Sequence, residues 1–148
     1  MSKRKDVPFA TTLQIRDHCL CLHAQRAARL VARRFDEAFR PLGLTNGQFS
    51  LLMALNGPEP ARMAAVAARL AMDRTTLTAA LKPLQRRGLV TVAADPADRR
   101  SRRLTLTRAG RSLLAAAVPI WDRTHAAVEG GLAGADPDLL RRDLRSLT

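Results

Sequence analysis

Three stretches of the 148-residue chain carry residue types at spacings that could do chemistry. HCLCLH, His18 to His23, gathers two histidines and both cysteines, a composition suited to metal ligation or thiol redox chemistry. DRTTLTAALK, Asp73 to Lys82, sets an arginine, threonine hydroxyls and a lysine along what reads as the start of a helix, where donors can meet phosphates and base edges. DPADRRSRR, Asp95 to Arg103, places Arg99, Arg100, Arg102 and Arg103 between acidic residues and a strand-like run. Catalytic signatures are missing: there is no GxSxG elbow, phosphate loop or HExxH. The chain therefore reads as a binder rather than an enzyme, with no cofactor. His125, four residues from both Trp121 and Glu129, reads as helix packing.

HCLCLH can be weighed by geometry. In one continuous helix, at about 100° per residue, Cys19 and Cys21 point to nearly opposite sides and cannot share a metal or a bond. Cys19 pairs with His23, and His18 with Cys21, giving two ligands each where a structural zinc takes four. No metal site is expected. A thiol buried among Leu and Ala is also expected to be unreactive.

The elements that must position these residues follow from periodicity and punctuation. A long first helix is expected from about Leu13 to Arg40, stopped by Pro41 and Gly43. Thr45 caps a second helix that Gly57 and Pro58 close. ARMAAVAARLA makes a short third helix, and Asp73 caps a fourth that ends at Gly88. LVTVA and RLTLT alternate at period two and read as strands joined by the charged ADPADRRSR loop. Thr107 caps a long helix with Pro119 as a kink, and Asp136 or Asp138 opens the last one. The fold class is mainly α with a small β-hairpin: a winged helix-turn-helix plus a helical dimerisation region. Its expected parts are a flexible arm over 1–10, dimerisation helices over 11–44 and 108–148, and a DNA-binding lobe over 45–107.

Charge agrees with a polyanionic partner. The chain holds 25 Lys and Arg against 13 Asp and Glu, a net charge of +12. No run nears the roughly 20 apolar residues of a membrane span and no signal-peptide core follows the basic start, so a cytoplasmic protein with reduced thiols is expected.

DPADRRSRRLTLTRAG resembles the wing of the MarR (multiple antibiotic resistance regulator) family, with its D-x-x-D-R-R stretch and Leu-Thr-x-x-Gly strand end. LTNGQFSLLMAL, DRTTLTAALKPLQRRGLV and the flanking helices match that family in order and spacing. The resemblance implies a homodimeric transcriptional regulator, usually a repressor, released from a palindromic double-stranded DNA operator by a small aromatic or lipophilic effector or by an oxidant. It implies Arg100 as the minor-groove residue, Arg74, Thr75, Thr76 and Thr78 in the major groove, and Lys82, Arg99 and Arg102 on phosphates. Asp95 and Asp98 are expected to orient neighbouring guanidiniums through bidentate pairs. Pro83, inside the recognition helix, removes the donor for the Ala79 carbonyl and is expected to bend it. Cys21, Gln25 and Phe49 are the positions implied for an effector pocket, with thiol-based redox sensing at Cys21 or a non-sensing architectural DNA-binding protein as alternatives. Apolar residues left over on the outer helices, among them Ile15, Leu20, Leu114, Val118, Leu140 and Leu144, suit a two-fold interface.

Overall fold

The computed structural model describes residues 6–148. Its order is α1 (Phe9–His18), α2 (Leu20–Phe39), a 3-10 turn (Arg40–Leu42), α3 (Asn46–Ala54), β1 (Ala61–Arg62), α4 (Met63–Arg69), α5 (Arg74–Arg86), β2 (Val90–Ala94), β3 (Arg102–Leu106), α6 (Arg108–Gly130) and α7 (Pro137–Arg145). Among the described residues no helix is long and apolar enough to cross a membrane.

The first helix is not continuous. Cys19 leaves helical geometry (φ −73°, ψ 107°), and its Sγ accepts the Leu22 N–H at 3.4 Å, capping α2. Both histidines of HCLCLH serve the local backbone: His18 Nδ1 bonds the Gln14 carbonyl at 2.9 Å and His23 Nδ1 the Cys19 carbonyl at 2.8 Å. Helical phase is lost across this break, so it does not set the relative directions of Cys19 and Cys21. α1 also starts at Phe9, inside the stretch expected to be an arm, while residues 1–5 lie outside the described residues.

Local capping explains where the lobe's helices begin. Thr45 and Gln48 form a reciprocal capping box on α3, and Asp36 of α2 accepts the Asn46 N–H at 2.7 Å. Between α4 and α5 the chain turns through Ala71 in a left-handed conformation (φ 52°), a non-glycine in the tight helix-turn-helix corner. α5 continues through Pro83 to Arg86, and α6 runs through Pro119 to Gly130, so neither proline ends its helix.

The wing is a three-stranded antiparallel sheet ordered β1-β3-β2, with Val90 opposite Leu106 and Ala61 opposite Leu104. β1 was not expected: two residues are too short to show alternation. Phe39, Leu52, Leu77, Leu81, Leu84 and Leu104 are the largest fully buried apolar side chains of the core. Phe35 and Phe39 of α2 and Leu114 and Ala117 of α6 join that core. Leu114 is therefore a core residue of its own chain rather than a surplus interface residue. Ile15, Leu20, Val118, Leu139, Leu140 and Leu144 do remain exposed.

Two residues fasten the sheet to α6. Thr107 caps the helix by accepting the Gly110 N–H (3.0 Å) and donates its hydroxyl to the Gly88 carbonyl (2.6 Å). A Cβ on Gly110 would lie 2.2 Å from the Leu89 carbonyl oxygen, so only glycine permits this approach.

Candidate nucleic-acid interface

α5 presents its outward side chains because Leu77, Leu81 and Leu84, spaced four and three apart, are buried beneath it. Arg74, Thr75, Thr78 and Lys82, with Ala79, line one shallow groove along that outer side. Arg74 also lines an adjoining cleft of about 400 Å³, shared with Arg100, Ser101, Arg102 and Asp98 of the wing loop and with Met63, Ala64 and Ala67 at the α4 end. The fold thus brings three predicted residues from α5 and the wing, Arg74, Arg100 and Arg102, around one opening. Arg99 is exposed on the wing loop.

The hydroxyls are less available than their exposure suggests. Asp73 caps α5 by accepting the Thr76 N–H at 2.7 Å and the Thr76 hydroxyl at 2.8 Å. Those bonds, the backbone one first, hold the Asp73 carboxyl below the usual carboxylate range. The Thr76 amide is consequently occupied by a side-chain carboxylate rather than open to a phosphate. Thr78 donates its hydroxyl to the Arg74 carbonyl at 2.8 Å, leaving its oxygen as an acceptor.

The wing acidic residues act only in part as expected: Asp95 pairs with one wing guanidinium, that of Arg103, and Asp98 caps backbone instead. Asp95 is only 1% exposed. It accepts the Ala97 N–H at 2.9 Å and pairs with Arg103 at 3.0 Å, with Arg62 of β1 further off at 4.0 Å. The Ala97 N–H first, then Arg103, hold its carboxyl below the ordinary range. Asp98 accepts the Arg100 backbone N–H at 3.0 Å, and the Ser101 N–H bonds the Asp98 carbonyl at 2.9 Å. Neither carboxylate is paired with the Arg100 guanidinium. They fix the loop's backbone and base, and the tip side chain projects from it. Arg62 was missed because an approach between separate strands leaves no mark in linear spacing.

The implied effector residues are dispersed within one chain. Gln25 donates to Cys21 Sγ at 3.2 Å, and Cys21 is exposed rather than buried. Phe49 is buried and stacks on Phe39 with centroids 4.7 Å apart. Cys21 precedes Phe39 by 18 residues of α2, about 27 Å of helix. Phe49 instead lines a cavity of about 470 Å³ with Ser50, Met53, Arg69, Leu70, Val118, Trp121 and Asp122, between α3, α4 and α6. Trp121 and Arg69 went unremarked as site residues because they stand on separate helices. Among the described residues no group of three or more His, Cys, Asp or Glu side chains could hold a metal.

The sequence profile described as MarR family matches residues 42–101. The transcriptional regulator HosA of Escherichia coli O111:H- is 32% identical over 104 residues, 70% of this chain and 77% of HosA. The M. tuberculosis transcriptional regulator MosR, solved in complex with DNA, superposes with a TM-score of 0.80 at 41% identity, covering 88% of this chain and 93% of MosR. Bordetella bronchiseptica BpsR, whose structure addresses regulation of its DNA binding by 6-hydroxynicotinic acid, superposes at 0.77 with 29% identity, covering 88% of this chain and 93% of BpsR. These relatives are regulators, not enzymes.

Proposed function

The chain belongs to the MarR family of DNA-binding transcriptional regulators, and from that premise we propose that it is a cytoplasmic homodimeric repressor of a palindromic operator. α5 enters the major groove with Arg74 and Thr75, and with Thr76 and Thr78 as acceptors only. Arg100 enters the adjacent minor groove, and Lys82, Arg99 and Arg102 take phosphates. The observation that carries this reading is the shared opening formed by Arg74, Arg100 and Arg102 from two separate elements. Arg100→Ala is expected to weaken operator binding by roughly 5- to 150-fold at fixed salt while leaving the melting temperature unchanged. Unchanged affinity in a gel-shift titration would overturn the wing assignment. A footprint confined to one palindrome separates this reading from a non-sensing architectural protein, which would protect random DNA evenly.

The effector enters the cavity lined by Phe49, Ser50, Met53, Arg69, Trp121 and Asp122, where largely apolar walls suit a planar aromatic or lipophilic acid whose carboxylate meets Arg69 and lies away from Asp122. 6-Hydroxynicotinic acid, the compound that regulates DNA binding of BpsR, is the first probe. Stabilisation in a thermal-shift assay together with release of operator DNA supports the site, and loss of both in Arg69→Ala locates it. A second reading is favoured by the exposure of Cys21 and the Gln25 donor on its sulfur: oxidation of that thiol modulates DNA affinity. Trapping a sulfenic acid at Cys21 under mild peroxide, with loss of DNA binding that Cys21→Ser abolishes, tests it.

A further inference from the structure

Trp121, His125 and Glu129 follow one another at four-residue steps on α6 and share one face of that helix. Trp121 lines the cavity between α3, α4 and α6. His125 lines a different space, an almost wholly apolar groove of about 430 Å³ between α2, α6 and α7, walled by Ala24, Ala28, Val31, Leu140 and Leu144. The two rings lie against each other, nearly parallel at 11° with centroids 4.5 Å apart, so the stacked pair joins a wall of the cavity to a wall of the groove. His125 Nε2 is 3.0 Å from Glu129 Oε1, which fixes the rotation of the imidazole plane. Glu129 in turn pairs with Arg141 of α7, and Arg141 bridges on to Asp138 at 2.6 Å.

We infer that His125, held by Glu129 and Arg141, is a positioning residue that sets the Trp121 wall of the cavity, so that the seating of α7 and the shape of the cavity are linked. Each step has a physical content. The guanidinium neutralises Glu129 and holds its carboxylate in one place; the carboxylate holds the imidazole; the imidazole face backs the indole. If α7 shifts, Arg141 leaves Glu129, the imidazole is free to rotate, and Trp121 loses the flat surface behind it. The reverse also holds by reciprocity: a molecule that reorients Trp121 alters the footing of α7. α7 is otherwise attached by few groups. It buries no residue fully, and it meets the groove through Pro137, Leu140, Arg141 and Leu144. The consequence for an effector rests on the cavity reading above, whereas the link itself does not.

Trp121 is the only tryptophan in the chain, so emission of the full-length protein reads this ring alone. His125→Ala is expected to red-shift that emission and raise the unstacked, quencher-accessible population roughly two- to tenfold, read by acrylamide quenching. Arg141→Met, on another helix, is expected to shift emission and quenching in the same direction. Glu129→Ala, which leaves α7 chemically intact, is expected to reproduce Arg141→Met. In a His125→Ala background Arg141→Met should add nothing. His125→Phe, which keeps a flat ring but no bond to Glu129, should shift emission as Glu129→Ala does and be indifferent to Arg141→Met. The inference is overturned if Arg141→Met and Glu129→Ala leave Trp121 emission unchanged, or if Arg141→Met shifts it equally with His125 present and absent. Circular dichroism of each variant guards against a lost helix. Because no ligand enters the measurement, its failure is distinct from failure of 6-hydroxynicotinic acid to bind.

Discussion

Single residues in this chain divide into those exposed at the proposed DNA interface and those that hold them in place. Arg100 projects from a loop whose base is fixed by Asp95, and Asp95 spends its lone pairs on Ala97 and Arg103 rather than on the tip. Asp95→Asn is therefore expected to weaken DNA binding in the same direction as Arg100→Ala. The two should be markedly less than additive, because a wing that no longer holds its shape has already lost the minor-groove contact. Affinities of the two single variants and the double variant, measured by fluorescence anisotropy at one salt concentration, check this. Gly110 works by having no side chain. Gly110→Ala should destabilise the fold by about 1–3 kcal/mol, read by urea denaturation, since the β2 backbone or α6 must shift to admit the methyl group. The D-x-x-D-R-R and Leu-Thr-x-x-Gly patterns were legible as strings. That their roles are a buried ion-pair anchor and a close backbone approach became visible only with the strands paired.

At the scale of elements, most boundaries were legible because capping chemistry is local. Thr45, Asp73, Thr107 and Asp136 each accept amides at the helix starts expected of them. Thr107 also ties the turn between α5 and β2 to the start of α6 through the Gly88 carbonyl, so Thr107→Ala should cost about 1–2 kcal/mol, measurable as a lowered urea midpoint. Three carboxyls sit below their ordinary range: Asp73 at the α5 cap, Asp95 at the wing base, and Glu129, held chiefly by Arg141, between α6 and α7. Depressed folded-state values mean that their contribution is fully present above the unfolded values of about 4. It is lost as pH falls through the lower folded values. The melting temperature should therefore be insensitive to these groups from pH 7 down to about 5 and fall below about 4. A steady loss between pH 7 and 5 would contradict that sign. The break at Cys19 was not legible, because Leu, Cys and Leu fit a helix by propensity. A sulfur accepting an amide three residues on is a conformational choice that composition does not reveal.

For the whole molecule, the outer helices pose the question that one chain does not answer by itself. α1 and α7 bury no residue fully, yet Phe9, Ile15, Leu139, Leu140 and Leu144 are apolar and exposed. In the proposed dimer these faces meet across a two-fold and set two copies of α5 about one helical turn of DNA apart, roughly 10 base pairs. Leu144→Glu is expected to shift the protein to monomer in light scattering and to abolish operator binding while leaving the lobe folded. Retention of a dimer would remove α7 from the interface. The net charge of +12 further predicts that operator affinity falls with salt at a log–log slope of about −0.9 per phosphate contacted.

The sequence by itself determined the order of elements from α3 onward apart from β1, the caps at Thr45, Asp73, Thr107 and Asp136, the buried leucines of α5, and the basic hairpin loop. Each of those is encoded by neighbours within a few residues, where periodicity, caps and turn chemistry operate. Tertiary structure decided which distant residues meet. It placed Arg74 beside Arg100 and Arg102, set Asp95 against Arg103 and Arg62, and brought α6 onto Leu89 at Gly110. It also separated Phe49 from Cys21 and gave it Trp121 and Arg69 as neighbours instead. Such pairings depend on how helices pack and how strands register over the whole core, and linear spacing carries no record of either.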